Sequence, residues 1–85
     1  MPKLSTEEIT TLLENELYEA EKKHSPFNSA HEGFSIINEE VDSLWDEVRH
    51  DPTQDRSFAK MRVYAIKIGA MAIRFIKDLE GEKII

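Results

Sequence analysis

Apolar residues recur along this chain in three blocks at helical spacing, separated by two breaks that each contain a proline. In the first block Ile9, Leu12, Leu13, Leu17 and Ala20 share one face, with Glu14, Glu16, Glu19 and Lys22 mostly outside it. Ser5 with Glu8 three residues on has the make-up of a capping box, in which each side chain satisfies an otherwise free backbone N–H. The spacing predicts a helix over 5–24, ended where Pro26 biases Ser25 away from helical backbone. In the second block Phe34, Ile37, Val41, Leu44 and Val48 alternate steps of three and four, a single seam that Trp45 widens. Ser29 and Glu32 repeat the capping pattern, and Phe27 is placed to pack back over the first turn. Gly33 weakens the helix interior, which implies close approach of another helix. This helix is expected over 29–50, with Asp51-Pro52 stopping it and 50–54 forming the loop.

The third helix, over 54–80, is the longest. Its main seam is Met61, Ala65, Ile68, Ala72, Phe75 and Leu79, yet Ile66, Ala70, Met71 and Ile73 lie off it. A helix apolar around most of its circumference is buried on more than one side. Two other helices of one chain are too few to surround it, so a partner subunit is expected, with Gly69 and Ala70 allowing close approach. Gly81 ends the helix, and Ile84 and Ile85 either dock on a neighbour or fray. The chain is read as all-α: one domain over 1–85, a three-helix subunit assembling into an oligomeric bundle, at least a dimer.

Bulk properties narrow the function classes. Eighty-five residues bury a limited core. Eleven basic residues against seventeen acidic ones give a net charge of −6, which repels nucleic acid and anionic membrane surfaces. No cysteine is present, so disulfides and thiolate metal sites are excluded. The N-terminus has no apolar signal region and no run has the length of a membrane span, so the expected location is the cytoplasm. No serine sits in a nucleophile turn and no glycine-rich phosphate loop occurs.

Candidate chemistry gathers in the second helix. Glu39, Glu40, Asp42, Asp46 and Glu47 lie within a few turns, with Asp42 and Asp46 expected to be solvated. Glu40 and position 43 point the same way, and a facing helix with a similar pair would surround a Mg²⁺ ion with oxygen ligands. Such an ion neutralises a triphosphate and activates water for attack on phosphorus. Trp45 is a core or interface anchor or a surface for a nucleobase. Arg74 and Lys77 are placed to meet phosphates, while Arg74 with Asp78 is equally an i, i+4 helix ion pair. His31 is read as a first-turn helix residue, and His24 and His50 fall at helix ends, where an imidazolium meets the dipole favourably.

The runs HEGFSIINEEVDSLWDEV and MRVYAIKIGAMAIRFIKDL resemble the MazG-like, all-α nucleoside triphosphate pyrophosphohydrolases, especially their short phage and mobile-element forms. The resemblance runs from Asn28 to Leu79. It implies a helical, oligomeric protein that cleaves (d)NTP to (d)NMP and pyrophosphate with Mg²⁺. It also implies metal ligation by Glu39 and Glu40. Glu40 and Glu47 are the candidate catalytic groups, and Trp45, Lys67 and Arg74 the candidate substrate contacts. His31, Glu32 and Asp78 also match positions common in the short forms.

The family pattern is Glu-Glu-x-x-Glu on one helix and Glu-x-x-Asp on the next. Glu39 and Glu40 match the first pair, but the third acidic position falls on Ser43 and the second motif on Tyr64 and Lys67. The Lys67 ammonium in the place of a metal neutralises Glu40 without a metal ion. Ser43, Tyr64 and Lys67 are therefore expected to form a polar network around Glu40. Two function classes follow: a Mg²⁺-dependent pyrophosphohydrolase with a reduced metal site, or a non-catalytic oligomeric relative that binds nucleotide or protein.

Overall fold

A computed structural model of the chain describes residues 3–49 and 58–81. Three helices follow in order, α1 (Thr6–Lys23), α2 (Ala30–Val48) and α3 (Ala59–Leu79), and no strand occurs among the described residues. The loop expected over 50–54, the start of the third helix at Gln54 and the tail beyond Gly81 lie outside the described residues.

Local chemistry accounts for the helix ends. The Ser5 backbone N–H donates to Glu8 Oε1 at 2.9 Å and the Glu8 N–H donates to Ser5 Oγ at 3.1 Å, so both halves of the capping box are made. At α2 the Glu32 N–H donates to Ser29 Oγ at 3.1 Å, but the Glu32 carboxylate reaches one residue further back, accepting from the Asn28 N–H at 2.9 Å. The expected box is thus a shifted one. Gly81, at φ +89°, supplies the left-handed residue just beyond the end of α3.

α3 lies in the middle. α1 runs parallel along one flank, with Leu13 against Gly69 and Lys77 Nζ 2.9 Å from Glu21 Oε2. α2 runs antiparallel along another, with Gly33 beneath Phe75. A Cβ on Gly33 would stand 2.7 Å from Phe75 Cδ2 and 3.1 Å from Phe27 Cδ2, so that glycine is what lets the aromatic rings approach. α1 and α2 each pack on α3 and not on each other. The core is small, formed by Ala20, Phe27, Ala70, Met71 and Leu79, with Leu13, Leu17, Ile36, Ile37 and Phe75 packed against it.

This arrangement departs from the seams expected on α2 and α3. On α3 Ala65 and Ala72 face outward, and burial centres on Ala70, Met71 and Arg74. Helices on two flanks of α3 move the centre of burial to the strip between them. Gly69 meets Leu13 of its own chain and Ala70 is fully buried within the chain, so α1 fills the place assigned to a partner there. On α2 the buried side runs through Gly33, Ile36, Ile37, Glu40 and Leu44. Phe34, Val41 and Val48 are exposed, because close packing at Gly33 turns the helix by part of a turn. No described helix is long and apolar enough to cross a membrane.

Candidate functional site: a polar cleft between α1 and α2

Because α1 and α2 do not touch, the strip of α3 between them is left as the floor of a cleft. Lys67, Met71 and Arg74 occupy that floor at spacings of four and three, the positions that share one helix face. Glu16, Glu19 and Lys23 of α1 form one wall, and Glu32, Ile36, Glu39 and Glu40 of α2 the other. The cleft has a volume of about 530 Å³, within the ordinary range of roughly 300–1,000 Å³ for small-molecule sites.

Arg74 closes one end. Only 3% exposed, it donates from Nη2 to the Ser25 carbonyl at 2.8 Å and stacks over the Phe27 ring at 4.3 Å. Nη1 donates to Met71 Sδ at 3.5 Å. Nε lies 3.9 Å from Asp78 Oδ2 and has no hydrogen-bond partner among the described residues. Asp78 Oδ2 also accepts from the Phe27 N–H at 2.9 Å. The α1–α2 connection is therefore tied to α3 at three points within the three residues from Ser25 to Phe27. The i, i+4 relation of Arg74 and Asp78 is an ion pair here, with side chains 4% and 12% exposed. A charge that deep is tolerated only when its neighbours replace the lost water, which the Ser25 carbonyl and the Phe27 ring do in part.

Of the residues singled out by sequence, the cleft brings together Glu39, Glu40, Lys67 and Arg74. Ser43, Tyr64 and Glu47 are half-buried and do not line it. Trp45 is exposed and also absent from the lining. No ion pair joins Glu40 to Lys67, and no hydrogen bond links either to Ser43 or Tyr64, so the expected network around Glu40 is not formed. The reason lies in helix geometry. Each step of three residues along α2 or α3 advances about 4.5 Å, which carries Ser43 and Tyr64 away from the closed end of the cleft. Among the described residues no three His, Asp or Glu side chains are disposed to hold one metal ion.

Sequence reasoning missed the α1 wall. Glu16, Glu19 and Lys23 share one side of that helix, and Glu16 and Glu19 flank the buried Ala20 position. A charged row bordering an apolar stripe was the available signal, but it reads equally as a solvated face until α3 fixes what it confronts. Compared with known proteins, this chain matches no family model, and no curated protein or solved structure matches it.

Proposed function

We propose that this chain is a nucleotide-binding helical protein of the MazG-like pyrophosphohydrolase type with a reduced metal site, acting as a cytoplasmic oligomer. The observation that carries the reading is the cleft, where Glu39, Glu40, Lys67 and Arg74 meet in a volume suited to a small polar ligand. The charge balance bears on the form of that ligand. Five glutamates outnumber Lys23, His24, Lys67 and Arg74 together, so the lining is net acidic. A free triphosphate is repelled by such a lining, whereas one carrying a divalent cation has much of its charge neutralised. Lys67 enters no ion pair among the described residues and is the cation on the floor available to a phosphate oxygen. Arg74, committed to the Ser25 carbonyl, holds the end wall and adds positive potential.

Hydrolysis of (d)NTP to (d)NMP and pyrophosphate is the second reading, favoured by one observation: carboxylates stand on both walls, Glu16 and Glu19 opposite Glu39 and Glu40.

One experiment separates the readings. Calorimetric titration with a panel of NTPs and dNTPs, with and without Mg²⁺, is paired with measurement of pyrophosphate release. Mg²⁺-dependent binding weakened at least about tenfold by Lys67→Glu, without release, supports the binding protein; a tenfold loss corresponds to about 1.4 kcal/mol. Release abolished by Glu40→Gln would make the protein an enzyme. No binding to any nucleotide would refute both.

A further inference from the structure

The floor of the cleft continues along α3 beyond Lys67. Val63 stands four residues before Lys67 on the same face of α3 and is 49% exposed. On α1, Leu12 stands four residues before Glu16, with Ile9 three before that, and both are exposed. Because α1 runs parallel to α3, all three lie toward the end of the cleft that Arg74 leaves open. The cleft is thus the closed half of a longer groove, acidic on its walls and apolar toward its mouth. From Val63 to Arg74 the floor is about 16 Å long, the rise of roughly eleven helical residues.

We infer that this groove seats a basic amphipathic helix of another protein, lying along α3 and ending against the 24–29 connection beside Arg74. Shape requires a helix. α1 and α2 each pack on α3 and not on each other, so the three helices hold three corners of a four-helix bundle and the groove is the fourth. Val63, Lys67, Met71 and Arg74, at steps of four, four and three, form the kind of ridge against which another helix packs. No strand occurs among the described residues, so no sheet edge is offered to an extended segment, whereas a helix satisfies its own backbone. Charge requires a basic one. Glu16 on one wall and Glu39 and Glu40 on the other enter no ion pair with any described residue. A helix with lysine or arginine on both flanks meets both walls, while its apolar face lies over Ile36, Met71 and Val63, with Leu12 at the mouth. An acidic segment is repelled by the same walls.

Seating of such a helix goes beyond nucleotide binding and does not depend on it. A helix over Lys67 closes the floor to a phosphate, so partner helix and nucleotide exclude each other, and the groove becomes a point of control by a protein partner.

The probe is a synthetic peptide of about sixteen residues, long enough to span the groove, with leucines at helical spacing and lysines on both flanks. Its fluorescently labelled form should gain anisotropy on titration with the chain, and its circular dichroism should turn helical on binding. A peptide of the same composition in scrambled order, and one with glutamate in place of lysine, should each bind at least about tenfold more weakly. Glu16→Lys/Glu39→Lys and, separately, Leu12→Lys should each weaken the lysine peptide at least about tenfold, with the helical circular dichroism of the chain itself unchanged. Val41→Lys, on the outer side of α2, should bind the peptide like the wild type. No binding of the lysine peptide would overturn the inference, as would equal binding of the scrambled peptide, the mark of non-specific charge attraction. An unchanged affinity in both groove variants, or a loss in Val41→Lys as large as in Leu12→Lys, would also overturn it by placing the peptide outside the groove.

Discussion

Replacing Arg74 by alanine tests the way the cleft is closed. The guanidinium makes a charge-assisted hydrogen bond of 2.8 Å to the Ser25 carbonyl, a contact of about 1.5–3 kcal/mol. It also stacks over Phe27 at 4.3 Å in a nearly dry setting, worth about 1–2 kcal/mol. Its removal leaves Asp78, whose side chain is 12% exposed, with the Phe27 N–H but without a counter-charge. Losing one partner of a buried pair costs about 3–5 kcal/mol in well-made cases. At 3.9 Å, with no hydrogen bond from Nε, this pair is worth less. These contributions share one group and do not add in full, so Arg74→Ala is expected to cost about 3–5 kcal/mol. A chain of this length has about 4–13 kcal/mol in all. Urea unfolding followed by circular dichroism, at one fixed protein concentration, measures the loss. In a thermal melt it appears as a fall of roughly 12 °C or more. The double variant Arg74→Met/Asp78→Asn, which keeps the chain length and removes both charges, should recover at least about 1 kcal/mol of it. A loss below about 1 kcal/mol for Arg74→Ala, or no recovery in the double variant, would refute the assignment of Arg74 and Asp78 as the tie between the connection and α3.

The two helix–helix glycines should respond differently to alanine. At Gly33 the new methyl meets two ring edges at 2.7 and 3.1 Å, so overpacking of about 1–3 kcal/mol outweighs the helix gain of about 1 kcal/mol, and thermal melts should show a net loss. At Gly69 it meets Leu13 Cδ1 at 2.8 Å, the end of a flexible, half-buried side chain that can turn aside, so Gly69→Ala should be within about 1 kcal/mol of neutral. The reverse ranking would contradict the packing described for α2. At the start of α1, the hydrogen bond from the Ser5 N–H, and then that with the Ser5 side chain, holds the Glu8 carboxyl below its ordinary value. The stabilisation is therefore present above the unfolded-state value and is lost as pH falls through the lowered one. In a carbon-detected NMR titration Glu8 should titrate below the ordinary glutamate value, and Ser5→Pro should return it to that value. An unshifted Glu8 in the wild type would mean the capping box is not made in solution.

Much of the fold was legible in the sequence because helices are specified locally. The Ser5–Glu8 box, the Ser29 cap and Gly81 mark helix ends through contacts within a few residues, and the apolar spacing marks the segments between them. The role of Gly33 as a place of close approach was legible for the same reason: a glycine inside a helix needs a justification from packing. Which face of each helix would be buried was not legible. Periodicity reports that α2 has an apolar stripe, but Phe34, Ile36, Ile37 and Val41 offer two overlapping stripes. Only the contact of Phe75 and Phe27 over Gly33 selects between them. The unselected stripe is the one left exposed, with Trp45 in it.

The same division holds for the cleft. The sequence by itself determined the residue types, their order on α2 and α3, and the acidic balance, since those are properties of a linear chain and of helical spacing. Tertiary structure alone decided that Glu16 and Glu19 face Glu39 and Glu40, because that depends on α1 and α2 flanking α3 without touching. It also decided that Lys67 and Arg74 share one floor while Tyr64 lies off it, and that Arg74 serves the connection between helices. A helix fixes which residues share a face; only its neighbours fix what that face meets.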